Sequence, residues 1–320
     1  MAEKKQRKIA LACQGGGSHT AFTAGVLKRI LLEQDKNFEI TAFSGTSGGA
    51  ICAVLAWYGL LSHGRKKAVE LLENFWLENT ARTFQDQLLD RIVVCSVGMR
   101  DHTPMIVPNP NMYPGWMQEQ LKTMLEKFIK FEKIPLLAND TGPMLLIGAV
   151  NVMNGKFKIF KNKEITPDAI LASAATPVLF SPVHISGETY WDGLFSENPP
   201  IRGLAKAKPD EIWVIQINPP VTAKVPMTMN EIRNRRDELT GNLSLEQEIY
   251  FIEKINTLIK KKLITGSEYK HIEVKRIQML RDLDYATKLE RSPDFIEGMI
   301  EYGEKQAEKF LGVRSGGSEK

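Results

Sequence analysis

The chain has 320 residues, of which 43% are hydrophobic and 25% are charged, and its formal net charge is +4. This composition is typical of a globular protein and excludes a collagen-like or disordered chain. The basic residues are mixed with acidic ones, so the charge permits contact with an anionic membrane surface and gives no reason to expect nucleic acid.

The three cysteines, Cys13, Cys52 and Cys95, are too few for a disulfide framework and indicate a reducing compartment. The charged N-terminus leads directly into the first strand, which predicts no signal peptide, and no apolar run has membrane-spanning length. We therefore expect a cytoplasmic protein, with peripheral contact at a membrane permitted. Cysteine and histidine show no metal-ligand spacing, so we expect no metal and no cofactor.

The first fifty residues alternate between strand and helix. Residues 9–13 predict a buried strand, and residues 19–33 carry apolar side chains at helical spacing. Residues 38–43 alternate like a second strand, and the small apolar residues 48–58 predict a second helix. Such a βαβ opening implies a parallel sheet.

The second strand and second helix are joined by Gly45-Thr46-Ser47-Gly48-Gly49. The pattern Gly-x-Ser-x-Gly between a strand and a helix is a nucleophile elbow, which exposes the serine hydroxyl on a sharp turn. Gly45 and Gly49 fit so tight a turn because they have no Cβ. The N–H groups at the helix N-terminus, Gly48 among them, are then free to bind an oxyanion.

The first strand runs into Gly15-Gly16-Gly17. A tight turn or a phosphate-binding loop is an open alternative for this glycine run. However, no Gly-Lys-Ser/Thr follows, and Thr20 leaves Gly-x-Gly-x-x-Gly incomplete. With a candidate nucleophile one βα unit away, we favour an oxyanion hole.

The rest of the chain mixes helical and strand-like segments. Helical periodicity is found over residues 65–81, 116–131, 167–175, 245–263 and 293–310, and the chain is mostly helical and charged from Met229 onward. Strand-like segments are residues 144–152, 156–160, 212–217 and, as an edge strand, 271–277. Asn154-Gly155 predicts a hairpin between the first two of these strands, so the sheet is mixed. Thr166 is the expected N-cap of the helix over 167–175, and residues 314–320 predict a disordered tail.

Residues 92–116 are apolar but contain Pro104, Pro108, Pro110 and Pro114, so they cannot form one long helix. We favour a surface loop that packs on the core. A lid over an apolar substrate channel is the alternative.

A serine nucleophile needs a base, and two residues compete for that role. The order Ser47, Asp192, His271 matches the chain order of α/β-hydrolases. Against that triad, the elbow follows only two strands, and His271 lies in a plain amphipathic context. Asp192 lies in Tyr190-Trp191-Asp192-Gly193-Leu194, where apolar neighbours would raise its pKa and make it a stronger base. The Asp-Gly pair by itself favours a turn aspartate that caps its own backbone.

Four segments together resemble the bacterial patatin-like phospholipases. They are Gly15-Gly16-Gly17, Gly45-Thr46-Ser47-Gly48-Gly49, the stretch Ala172–Pro182 and Asp192-Gly193, and they occur in the family's order. The resemblance extends from residue 8 to about residue 218. One departure is Leu194, where the family motif has glycine or alanine.

The resemblance implies a three-layer α/β/α sandwich with a central, mostly parallel sheet. Residues 1–220 would form the catalytic domain, and residues 221–320 a mainly helical part that packs on it. The family uses a serine–aspartate dyad without histidine, which implies Ser47 as nucleophile and Asp192 as base. Gly15, Gly16 and Gly17 would form the oxyanion hole, with the Gly48 N–H.

The implied substrate is an acyl ester of a phospholipid or lysophospholipid. Three alternatives stay open at this point. Leu194 favours a catalytically impaired lipid-binding module of the same fold, and His271 permits a Ser-Asp-His esterase. Acyl transfer to an acceptor other than water is the third alternative. The oligomeric state does not follow from the sequence.

Overall fold

The computed structural model describes residues 6–33, 38–98, 115–139, 141–177, 179–222, 224–266, 268–281 and 283–315. The strands are β1 (Arg7–Cys13), β2 (Phe38–Gly45), β3 (Met144–Asn151), β4 (Phe157–Lys161), β5 (Val183–Ile185), β6 (Glu188–Asp192), β7 (Glu211–Gln216) and β8 (Glu273–Gln278). The helices are α1 (Ala21–Leu32), α2 (Gly48–His63), α3 (Arg65–Glu78), α4 (Phe84–Gly98), α5 (Trp116–Phe128), α6 (Ile134–Leu137), α7 (Pro167–Ala174), α8 (Met229–Lys260) and α9 (Pro293–Ser315).

The strands form one mixed sheet with a parallel centre. Its strands are hydrogen-bonded in the sequence β5-β6-β3-β2-β1-β7-β8, and β4 also pairs with β3. Strands β6 and β2 pair with successive parts of one edge of β3, and β4 pairs with the other edge. The pairs from β3 through β2, β1 and β7 to β8 are parallel. The pairs of β4 and β6 with β3, and of β5 with β6, are antiparallel. This confirms the mostly parallel mixed sheet, the hairpin at Asn154-Gly155 and the edge strand near residue 273.

Helices cover both faces of this sheet. The side chains of β1 show this, because they alternate between two hydrophobic cores. Ile9, Leu11 and Cys13 of β1 belong to the larger core, to which α1, α2, α3 and α9 contribute. Ala10 and Ala12 belong to a smaller core, in which Leu245, Ile249 and Ile252 of α8 are buried. Since successive strand residues point to opposite faces, this alternation gives the three layers that the sequence predicted.

Helix α9 packs against α1 with almost no side chain between the two backbones. A Cβ on Gly25 would lie 2.0 Å from the Ile300 carbonyl oxygen, and a Cβ on Gly303 would lie 2.1 Å from the Phe22 carbonyl oxygen. Lys28 of α1 also pairs with Glu304 at 2.9 Å. The C-terminal helix is thus in direct contact with the first βαβ unit. None of the helices within the described ranges is long and apolar enough to span a membrane.

Helix α8 begins at Met229, where the sequence becomes mostly helical, and its first half buries the polar Glu238 and Asn242. Two sequence predictions need correction. Residues 92–98 are the end of α4 rather than part of a loop, since no proline occurs before Pro104. Residues 314–315 belong to α9 rather than to a tail. The lid question concerns residues 99–114, which lie outside the described residues, as do 316–320.

The hairpin of β5 and β6 was not predicted, although a signal for it exists. Ser186 and Gly187 join the two strands, with φ of 50° and 81°. Positive φ at both central residues is the geometry of a two-residue hairpin turn, for which a Ser-Gly pair is a sequence marker. The consequence is that Asp192, which the sequence placed in a turn, is the last residue of a strand.

Candidate active site

Ser47 lies where β2 turns into α2. Its backbone has φ 54° and ψ −131°, a conformation that non-glycine residues rarely adopt, and its side chain is half-buried. The turn closes because its flanking glycines carry no side chain. A Cβ on Gly45 would lie 2.5 Å from the Gly49 carbonyl oxygen, and one on Gly49 would lie 2.3 Å from the Cys13 carbonyl oxygen.

The strained elbow is held by Ser173 of α7. The Ser47 N–H donates to the Ser173 Oγ at 3.0 Å, and that hydroxyl donates to the Gly148 carbonyl of β3 at 2.7 Å. Backbone strain of this type costs about 1–3 kcal/mol and persists only where neighbours fix it. Ser173 lies in the stretch that carried the family resemblance, but sequence reasoning gave it no role.

The sheet brings Asp192 beside the elbow. Strands β2 and β4 pair with the same residues of β3, Leu146 and Ile147, so they occupy opposite edges of β3. Strands β6 and β4 both pair with Ala149 of β3, so they too lie on opposite edges of β3. Strand β6 is therefore on the same edge as β2, further along β3. The last residue of β2 pairs with Ile147 and Asp192 pairs with Ala149, so the elbow and the carboxylate are neighbours along one strand edge.

The Asp192 carboxyl is 2% exposed, and burial raises its pKa from the ordinary value of 3.8 to about 6. Hydrogen bonds partly oppose this effect. Thr176 Oγ1 donates to one carboxylate oxygen at 2.7 Å, and the Leu194 N–H donates to the other at 2.8 Å. The Ser47 side chain is also close enough to the carboxylate to lower its pKa slightly. The two candidate catalytic side chains are therefore neighbours, and Asp192 is more basic than a free aspartate yet ionised at neutral pH.

Leu194, the departure from the family motif, does not disturb this carboxylate. It lies in a short 3-10 turn, and its φ is not among the positive values, so its backbone is unstrained. Its side chain is close to Gly241 of α8, since a Cβ at Gly241 would lie 3.1 Å from a Leu194 methyl group. A leucine is accommodated because α8 presents a glycine there.

The glycine run lies directly beside the elbow. A Cβ on Gly15 would lie 2.8 Å from the Ser47 Cβ. The Gly15 N–H, a predicted oxyanion donor, instead donates to the Asn198 Oδ1 at 2.7 Å. Gly16 is half-buried and Gly17 is exposed with φ +58°, and within the described residues neither N–H has an acceptor. The same holds for the Gly48 N–H at the first position of α2. Three backbone donors beside Ser47 are thus available to a ligand.

A network of buried amides fixes the glycine run from behind. The Gln14 Oε1 accepts from the backbone N–H groups of Ile217 at 2.9 Å and Asn218 at 2.8 Å. The Gln14 Nε2 donates to the Asn242 Oδ1 of α8 at 3.1 Å. Both the residues that follow β7 and helix α8 therefore support the loop. Sequence reasoning missed these partners, because they are distant in the chain and no local pattern marks them.

His271 lies far from Ser47. It is exposed and lies just before β8. The first residue of β8 pairs with Glu211 of β7, which in turn pairs with Ile9 near the start of β1. The elbow instead follows the last residue of β2, which pairs with Cys13 at the end of β1. The four-residue step from Ile9 to Cys13 alone is ~13 Å along a parallel strand, and three strand spacings separate β8 from β2. This arrangement excludes the Ser47–Asp192–His271 triad. In the part of the chain that the structure describes, no group of three or more His, Cys, Asp or Glu side chains could hold a metal ion.

Comparison with known proteins gives one family. A model described as patatin-like phospholipase matches residues 11–205, well over half of the chain, a range that includes Ser47 and Asp192. No curated protein matches the chain. Among solved structures, the chain is similar to the crystal structure of VipD from Legionella pneumophila, with 14% sequence identity and a TM-score of 0.45. That similarity covers 97% of this chain and 67% of the VipD chain.

Proposed function

Because the chain belongs to the patatin-like phospholipase family, we propose that it hydrolyses acyl esters of phospholipids or lysophospholipids through a Ser47–Asp192 dyad. Family membership by itself supports hydrolase activity on lipids. The residue assignment rests on the proximity of the Ser47 side chain to the buried Asp192 carboxylate, at neighbouring positions along β3. The free N–H groups beside Ser47 support a reaction that develops an oxyanion.

In the acylation step, Ser47 Oγ attacks the ester carbonyl carbon while Asp192 accepts the hydroxyl proton. The negative charge that develops on the carbonyl oxygen is bound by the N–H groups of Gly16, Gly17 and Gly48. The carbon–oxygen bond to the leaving alcohol then breaks, and Asp192 returns its proton to that alcohol. In the second step, Asp192 deprotonates a water molecule that attacks the acyl-enzyme, which releases the fatty acid and restores the Ser47 hydroxyl.

The environment of Asp192 supports its role as a base. A general base is most effective when its pKa lies near the working pH, because it is then both ionised and able to accept a proton. Burial brings the pKa of Asp192 to about 6, which meets both requirements at neutral pH. Removing one oxyanion donor typically costs on the order of a hundredfold in rate, so the loop glycines contribute to the reaction alongside the base.

Contact with a membrane surface is part of the proposal. Three apolar side chains in the segment before α8 are strongly exposed, namely Val221 at 77%, Val225 at 78% and Met227 at 81%. Pelleting with phospholipid vesicles tests this: Met227→Glu should weaken pelleting, and Leu136→Glu, at a comparably exposed site on α6, should not. Equal pelleting of both variants would refute a contact at this segment. The cytoplasmic location indicated by the cysteines stays a prediction.

The function is tested by incubating the purified protein with a panel of phospholipids and lysophospholipids and identifying released fatty acids by mass spectrometry. Ser47→Ala and Asp192→Asn should each lower turnover by on the order of a thousandfold or more, whereas His271→Ala should retain it. A folded wild-type protein that cleaves no acyl ester would refute hydrolysis. Retained turnover in Asp192→Asn would refute the dyad, and acyl product on an added alcohol or thiol acceptor would favour transfer over hydrolysis.

A further inference from the structure

A C-terminal turn packs on the glycine run of the candidate site. The turn is the 3-10 segment Tyr285–Leu289, and it contacts the 3-10 segment Gly17–Thr20 that follows the glycine run. It lies about 80 residues beyond the end of the family match at residue 205. Nothing in the family match therefore assigns it a role in the site.

One hydrogen bond joins the two segments side chain to side chain. The His19 Nε2 lies 2.7 Å from the Thr287 Oγ1. The Thr287 hydroxyl already donates its single proton to the Asp284 carbonyl at 2.6 Å. The His19 ring must therefore donate through Nε2–H and Thr287 must accept, which fixes the tautomer of the imidazole. Burial lowers the pKa of His19 to about 3, so the ring stays neutral and the bond persists across the physiological range.

A second contact is between backbones. A Cβ on Gly17 would lie 2.3 Å from the Lys288 carbonyl oxygen, and Gly17 adopts φ +58°. Only glycine fits here, on both conformational and steric grounds. Gly17 therefore packs directly against the Lys288 backbone, and its N–H is one of the proposed oxyanion donors.

The turn is itself anchored to the body of the protein. Asp284 caps it by accepting from the Ala286 N–H at 2.8 Å. The Arg291 N–H donates to both carboxylate oxygens of Asp90 in α4 at 3.1 Å, and the Arg291 carbonyl accepts from the Ala81 N–H at 2.8 Å. The turn is thus capped from within and anchored to α4 and Ala81 on its C-terminal side, so it supports the glycine run that packs on it.

We propose that Thr287 is a positioning residue for the oxyanion loop: its hydroxyl holds His19, and through His19 it holds the N–H groups of Gly16 and Gly17 in the orientation that binds the oxyanion. The catalytic part of this inference rests on the proposed function, whereas the effect on loop order does not. A positioning role of this kind alters the transition state more than substrate binding, because the oxyanion forms only as the reaction proceeds.

The decisive variant is Thr287→Val, which keeps the side-chain shape and removes the acceptor, with Thr287→Ser as the variant that restores it. Hydrogen–deuterium exchange is followed at two hydrogen-bonded N–H groups of the loop, that of Gly15, which donates to Asn198, and that of His19, which donates to the Gly16 carbonyl. We expect exchange there to be about tenfold faster in Thr287→Val, since one buried hydrogen bond corresponds to roughly that factor. Thr287→Ser should exchange like wild type. Thr257→Val removes a hydroxyl on α8 that donates to the Glu253 carbonyl within the same helix, and should leave the loop unchanged.

Activity supplies the second measurement. With a chromogenic acyl ester, Thr287→Val should lower kcat about tenfold at an unchanged KM, and Thr287→Ser should recover it. His19→Phe removes the donor from the other end of the same bond and covers the case in which Thr287→Val does not fold. The double variant should be no worse than either single one. A wild-type protein without hydrolysis would count against the proposed function, whereas the exchange rates still test the positioning role of Thr287. If both Thr287→Val and His19→Phe exchange like wild type, that positioning role is wrong.

Discussion

Replacing Asp192 by asparagine should stabilise the protein at the same pH at which it abolishes activity. In the native state the pKa of this carboxyl is about 6, against an ordinary 3.8, because the charged form is buried. Between those two values the native state binds more protons than the unfolded chain, so its stability decreases as the pH rises through about 6. The carboxylate therefore destabilises the fold above that pH and has little effect near pH 4.

The size of the effect follows from the two values. A difference of about 2 pKa units, at 1.36 kcal/mol per unit, corresponds to about 3 kcal/mol. An asparagine at this position is neutral, and its carbonyl oxygen can still accept from the Leu194 N–H, which now donates at 2.8 Å. The Thr176 hydroxyl can rotate to accept from the new amide group. We therefore expect Asp192→Asn to gain about 3 kcal/mol of unfolding free energy at pH 8 and almost none at pH 4.

Urea unfolding of wild type and Asp192→Asn at both pH values measures this difference, and an acyl-ester assay on the same samples measures activity. Asp168→Asn is the control, since it removes an exposed carboxylate of α7 that pairs with Lys122 at 2.9 Å. It should give no stabilisation at pH 8. The assignment of a buried carboxylate whose charge destabilises the fold would be refuted by either of two results. One is an Asp192→Asn protein that is less stable than wild type at pH 8, and the other is an equal change in unfolding free energy at both pH values.

Two further changes test the surroundings of the site and the packing of the C-terminal helix. Thr176→Val removes a hydroxyl that donates to Asp192 at 2.7 Å. Because that bond lowers the carboxyl pKa, the acid limb of the kcat/KM profile should move up by roughly 1 pH unit, and an unmoved limb would contradict this. Gly303→Ala would place a Cβ 2.1 Å from the Phe22 carbonyl oxygen and should lower the unfolding free energy by about 2 kcal/mol. Gly298→Ala in the same helix meets nothing within 4 Å and should raise it by up to about 1 kcal/mol.

The parts of the fold that were predictable are those whose signal is local. Alternating apolar residues and glycine turns identified β1, β2 and the helices that follow them, and Asn154-Gly155 identified the hairpin. The N-cap at Thr166 is confirmed by its side chain, which accepts from the Ala169 N–H at 3.1 Å. The helical stretch from Met229 is confirmed as α8, and Thr228 and Glu231 form a capping box at its start.

The parts that were not predictable depend on contacts between distant segments. The first half of α8 buries the polar Glu238 and Asn242 and lacks apolar periodicity, so no hydrophobic pattern predicts which of its faces packs on the protein. The occupied N–H of Gly15 depends on Asn198, and no sequence rule connects those positions. Likewise, the proximity of Ser47 and Asp192 follows from the order in which β2 and β6 share one edge of β3. Residue types suggested the chemistry, and only the sheet topology brings the groups together.

The central claim is that Asp192 activates Ser47, and the rate of covalent labelling by a fluorophosphonate tests it most directly. Peptide mass spectrometry should find the label on Ser47 of the wild type, with a rate that rises with pH through about 6, the pKa of the neighbouring carboxyl. Asp192→Asn should react at least a hundredfold more slowly while remaining folded. An unlabelled Ser47 in the folded wild type, or equal rates in the two proteins, would contradict the account.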